Sequence, residues 1–304
     1  MHRLIWVLAV AVVASGVWLW GLGGSEHVAR LAAEGQREAQ QAMAGALRAL
    51  RTGQPGAIVT LLTLSFAYGF FHAAGPGHGK LVIGGYGIAE RVPLVRLSVL
   101  ALASSVAQAV TAIAFVFVAF AVLDWGRQQM VGTAEQVFAP TSFGLIGLVG
   151  FWLAVRGIRR FATLRTVHAE NQAQHRHDTH ADHTCHTCGH KHGPSLSEAA
   201  SVHSVRDAML VIGSVAVRPC TGAIFVLILT WQMGIPAAGV AAALAMAFGT
   251  ACVTVSVALA AVSLRESAFM RLQGSAALRA TAALELLAGL VIAAVSLQLV
   301  LSAI

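Results

Sequence analysis

Two histidines inside an apolar stretch carry the strongest chemical signal in this 304-residue chain. His72 and His78 are six residues apart and flank Gly75, Pro76 and Gly77. On an unbroken helix, at about 100° per residue, the second imidazole would sit roughly 240° around from the first. The Gly-Pro-Gly insert predicts a break instead, because proline lacks a donor and clashes with the preceding turn, while glycine opens other backbone angles. A break turns both imidazoles toward one cavity and frees carbonyl oxygens beside them. Imidazole suits borderline divalent ions such as nickel, cobalt, zinc and copper, whereas magnesium and calcium want carboxylates. Lys80, in the same run, reads either as a side chain reaching toward the cytoplasm or as the group that neutralises an empty site.

A second break is predicted at Pro219, within Arg218-Pro219-Cys220-Thr221-Gly222. Arg218 lies deep in its apolar run and therefore needs a partner, with Glu285 and Asp124 the candidates, or else a wet cavity. Glu285 reads as that partner or as an interfacial residue. Cys220 reads equally as a thiolate ligand and as a small buried hydrophobe, and Cys252 as packing.

A third signal is polar. Between residues 175 and 192 stand His175, His177, His180, His183, Cys185, His186, Cys188, His190 and His192, with Asp178 and Asp182 among them. Cys185 and Cys188 have chelating spacing, and Cys/His-rich tracts bind metal. The stretch has no apolar periodicity, so it is expected to lack order without metal and to concentrate or sense ions. A dispensable polar linker is the alternative.

The elements that must position these groups are membrane helices. The chain is 57% hydrophobic and 11% charged, with a mean hydropathy of +0.73, far from the roughly one-quarter charged composition of a soluble domain. Apolar runs predict seven spans, at about 4–22, 57–88, 94–123, 141–158, 208–231, 237–262 and 281–303. The first reads as a retained signal anchor with Trp18 and Trp20 at the interface. Residues 25–53 read as an external amphipathic helix, capped by Ser25 and ended by Gln54-Pro55-Gly56. Val28, Leu31, Met43, Leu47 and Leu50 form its apolar face, and it is expected to lie along the membrane surface or to bind a partner. Small residues in 237–262 and 281–294 predict close helix contacts.

The net charge of +7 falls in loops and sets orientation, so no nucleic-acid partner is expected. With the N-terminus cytoplasmic, the inside segments hold 13 Lys and Arg and the outside segments five, which leaves the C-terminus periplasmic. Setting the first span aside, two sets of three spans remain, each with a Gly/Pro break in its first member. Joined by a loop, the two sets have opposite orientation, and paired breaks in inverted halves point to a transporter's binding site. The reading is an all-α integral membrane protein: a six-helix core from two inverted three-helix repeats plus an N-terminal signal-anchor helix. Its parts are an anchor at 1–24, the external helix at 25–56, a first half at 57–160, a cytoplasmic His/Cys loop at 161–206 and a second half at 207–304.

The run His72-Ala73-Ala74-Gly75-Pro76-Gly77-His78-Gly79-Lys80 resembles the nickel/cobalt transporter superfamily, and specifically its bacterial NicO/RcnA-type efflux branch. The wider superfamily places Asp directly before the second His; Gly77 stands there in this chain, as in the efflux-type pattern. Arg218 to Ala223 and the helix before the motif are similar to the same branch, and the likeness covers about residues 25–304. The resemblance implies a multi-pass inner-membrane transporter of Ni2+ and Co2+ with His72 and His78 at the transport site, and efflux that confers tolerance.

No phosphate-cradling loop or catalytic Asp motif for ATP hydrolysis is present, so secondary, proton-coupled transport is expected rather than an enzyme, with no cofactor beyond the ions carried. The competing readings are an uptake permease of the same superfamily, a membrane thiol electron-transfer protein built on Cys220, and a metal sensor that does not transport.

Overall fold

The computed structural model describes residues 23–75, 83–87, 93–174, 205–269 and 274–303. These residues are helical with connecting turns, and no strand occurs among them. The signal anchor expected at 4–22, the motif residues Pro76, Gly77, His78 and Lys80, and the whole 175–192 tract lie outside the described residues.

Helix α1 runs over Gly24–Arg51 and α2 over Ala57–Ala74. The turn between them is set locally. Gly53 takes φ +71, its N–H donates to the Leu50 carbonyl, and the Gln54 N–H reaches the Ala49 carbonyl at 3.0 Å. That paired closure by a left-handed glycine satisfies the last carbonyls of α1 and reverses the chain. Gly23 rather than Ser25 precedes the first helical residue, so Ser25 lies inside the helix.

Beyond α2, residues 83–87 are helical, and α3 spans Leu94–Ala121. A continuous span, Arg127–Thr163, contains α4 (Arg127–Thr133), a π-helical turn (Ala134–Phe138) and α5, which continues to Gln174. The first fourteen residues of the segment expected as loop, 161–174, are therefore helix. The fifth apolar run is divided into α6 (Val205–Ala216) and α7 (Thr221–Gln232), which meet at a bend of 58°. Gly234, at φ +76, closes α7 with the same pair of bonds as Gly53, and Pro236 then opens α8 (Pro236–Phe269), where its missing N–H costs nothing. Helix α9 covers Gly274–Ala303. Five helices are long and apolar enough to cross a membrane, and the bent pair α6–α7 makes a sixth span if taken as one.

The described residues fall into two compact units. The first lies within Met1–Gly77, Ser105–Glu135 and Arg218–Val255, the second within His78–Ser104, Gln136–Val217 and Ser256–Ile304. Each draws on both three-span halves expected from the sequence.

In the first unit α1 and α2 pack antiparallel in a steady register, with Ala32 beside Gly75, Gly35 against Phe71, and Met43 at Ser65. The buried stripe of α1 is Ala32, Ala39, Met43, Ala46 and Leu47, while Leu31 is 52% exposed. Met43 and Leu47 of the expected apolar face are buried and Val28 and Leu50 half-buried, so only Leu31 departs from it. A helix pressed along a span buries small side chains, because they let the two axes approach. In the second unit α5 and α9 cross at a seam of small residues, with Gly150 against Ala293, Gly157 against Leu286, and Gly289 against Ala154.

Candidate functional site

Both helix breaks read from the sequence contribute described residues to the first unit. Helix α2 stops at Ala74, and Gly75 is extended (φ −64, ψ 172) while its N–H still donates to the Phe71 carbonyl at 3.1 Å. His72 therefore sits in the last turn before the break, where the final carbonyls of a helix have no partner within it. Its imidazole is exposed, not enclosed as an apolar surrounding sequence suggests, and it stacks on Tyr68 with centroids 5.9 Å apart and planes 7° from parallel.

Tyr68 was not singled out by sequence, yet it anchors this end of α2. It is 2% exposed. Its hydroxyl accepts a hydrogen bond from Gln36 Nε2 of α1 at 3.2 Å, and Cys220 and Thr221 lie alongside. A Cβ on Gly222 would overlap the Tyr68 ring and hydroxyl, so the ring rests on the backbone of the first turn of α7. Helix α8 closes on α2 from another direction. Gly69 meets the Met246 backbone, Gly249 meets the Phe66 carbonyl, and Thr250 Oγ1 donates to the Gly69 carbonyl at 3.2 Å.

At the second break Pro219 is buried, Arg218 and Cys220 are half-buried, and Cys220 stands as the residue before α7 in extended conformation (φ −67, ψ 124). The carbonyl of Arg218 accepts a bond from Gln108 Nε2 of α3 at 3.3 Å. Glu135 of the π-helical turn is a charged neighbour of Arg218, and the Cys220 thiol lies beside it. Neither candidate partner named from sequence fills that role. Glu285, fully buried in the second unit, is gripped by Arg156 and by Arg160, the latter at 2.7 Å. Asp124 is exposed in a turn at φ 49. Cys252 is exposed rather than packed away.

The described part of the site thus gathers His72, Tyr68, Gln36, Cys220, Thr221 and Gln108 from four helices of one unit. No group of three or more His, Cys, Asp or Glu able to hold a metal ion occurs among the described residues. His72 offers the imidazole, Cys220 the thiol, and the helix ends their carbonyls. Gln108 had a legible signal, an amide inside a long apolar run; Gln36 had none, since it reads as one more polar residue of an amphipathic helix.

Comparison with known proteins adds two findings. A protein-family model described as a high-affinity nickel-transport protein (NicO) matches residues 58–185. A protein of Haemophilus influenzae, named "putative nickel/cobalt efflux system", is 30% identical over 223 residues, which cover 71% of this chain and 69% of that protein. No solved structure matches the chain significantly.

Proposed function

The chain belongs to the NicO family of nickel/cobalt transporters, and we propose that it exports Ni2+ and Co2+ across the bacterial inner membrane and so confers tolerance to them. The observation that carries this reading is the position of His72, in the last turn of a helix that stops at Gly75, joined through Tyr68 to the start of a second broken span. Imidazole at a helix end is a donor set for a borderline divalent ion and not for a hard one. His78, three residues past Gly75, supplies the second imidazole of the proposed site. Lys80, Arg218, Cys220 and Glu285 are not required as ligands in this reading.

Export is favoured over uptake by the name of the Haemophilus relative. Coupling to protons follows from the ligand chemistry: imidazole titrates near pH 6.5 in its ordinary state and binds metal only when neutral, so a more acidic outer face promotes release. The proposed topology has the N-terminus and the 161–206 segment in the cytoplasm and the C-terminus in the periplasm, on the Lys/Arg asymmetry. The two three-span halves are proposed as inverted repeats. The His/Cys tract at 175–192 is proposed to gather ions on the cytoplasmic side, with His175, His177, His180, His183, Cys185, His186, Cys188, His190 and His192 as its donors.

The test is cellular nickel and cobalt under metal challenge, with and without the protein. Export lowers the content and raises the tolerated dose, whereas uptake raises the content. His72→Ala and His78→Ala are each expected to abolish the effect at unchanged membrane abundance; retention of full tolerance by either variant would remove that histidine from the site.

A further inference from the structure

We propose that Tyr68 is the positioning residue of the transport site, locking the His72 imidazole against both helix breaks, and that Gln36 of α1 holds it in place. This rests on His72 as an ion ligand.

Three surfaces of one side chain carry the inference. One face of the phenol ring lies nearly parallel to the imidazole of His72, four residues on, where helical geometry sets side chains one above the other. Its edge and hydroxyl abut Gly222, two residues past Cys220, so closely that no Cβ fits between them. Its hydroxyl accepts the Gln36 amide of α1, and Thr221 and Cys220 flank that oxygen. One ring therefore touches the turn before the first break, the turn after the second, and the helix outside both.

The seat is rigid. Phe71 fills the space above Gly35, and the Met246 backbone occupies the place of a Cβ on Gly69, so α2 has no slack to turn about its own axis. The polar pair adds little to cohesion, since the bond is part-buried and solvent can reach the Gln36 amide when the phenol oxygen is removed. What it supplies is direction: a phenol tethered at its oxygen cannot swing, and the imidazole stacked on it is confined to one orientation. Groups hydrogen-bonded to a metal-binding histidine change affinity by about tenfold or more when removed, and Tyr68, which orients its histidine by stacking, is expected to act on the same scale. The role also explains why α1 packs along α2 rather than lying free.

The test uses full-length protein in proteoliposomes, with Co2+ influx measured against concentration. Tyr68→Phe keeps the ring, the stacking and the contact with Gly222 and loses only the oxygen. It is expected to raise the half-saturating Co2+ concentration by about tenfold with maximal flux within about twofold of the parent. Gln36→Leu is expected to do the same, and Gln36→Glu, which still reaches the phenol as an acceptor, to recover most of the loss. Gly222→Ala displaces the ring and lowers maximal flux as well. A purely structural role predicts parental half-saturation in Tyr68→Phe, and that result overturns the proposal. If Tyr68→Phe is not recovered folded, parental half-saturation in Gln36→Leu overturns it equally. No flux in the parent would instead refute transport itself, and this role with it.

Discussion

Glu285 is a fully buried carboxylate in a chain with few charges, and its two partners come from one helix, Arg156 and Arg160 of α5, one turn apart. The Arg156 guanidinium also lies over the Trp152 ring, 4.7 Å from its centroid, where cation–π attraction adds to the pairing. Breaking a buried pair from one side leaves the other charge uncompensated, at a cost of about 3–5 kcal/mol. Glu285→Gln preserves shape and leaves two guanidiniums that solvent partly reaches, so a loss below that range is expected in thermal or denaturant unfolding of the detergent-solubilised protein. Arg160→Gln, half-exposed, is expected to cost clearly less than Arg156→Gln. Equal small effects from all three would show the cluster to be well hydrated. Sequence reading identified Arg218 as the group that needed a partner and named Glu285 and Asp124 as its candidates. Helical period says which face a residue occupies, but not which helix lies opposite across more than a hundred residues.

Among the elements, the α5–α9 crossing was the more legible and α1 the less. Gly147, Gly150, Ala154 and Gly157 repeat on one face of α5, and Leu286, Gly289, Ala293 and Ser296 on one face of α9; they pair antiparallel along the whole contact. Small side chains at that spacing let membrane helices approach closely, and dispersion between backbones replaces the missing hydrophobic drive. Gly289→Leu places its side chain in the backbone of Ala154 and is expected to prevent accumulation of folded protein. Gly144→Ala, with nothing within 4 Å of the added carbon, is expected to leave yield and melting temperature unchanged; the pair of variants, compared by size-exclusion profile, tests the seam. Helix α1 was read only in part: Met43 and Leu47 were legible as large apolar residues, whereas Ala32, Ala39 and Ala46 of the same packed stripe were not. Its end, by contrast, was written locally: Gly53 and Gln54 stop it by hydrogen bonds within five residues.

At the scale of the molecule, a chain this apolar is placed in the membrane by composition, and its six candidate spans among the described residues correspond to six of the seven apolar runs. The proposed orientation is checked by fusing a phosphatase that is active only outside the cytoplasm to Ile304 and, separately, to the 175–192 tract: activity is expected from the first and not from the second. Removing residues 175–192 is expected to abolish most of the high-affinity Ni2+ binding seen by calorimetry while retaining Co2+ flux, which separates ion gathering from passage. The sequence by itself determined the class of protein, the number of apolar runs and the end of α2 at the Gly-Pro-Gly insert, because hydropathy and proline geometry are local properties. Only the tertiary structure decided that Glu285 belongs to Arg156 and Arg160, that α1 lies along α2, and that Tyr68 meets both His72 and Gly222. Those are choices of neighbour, made by which small residues allow close approach, and no single stretch of chain contains them.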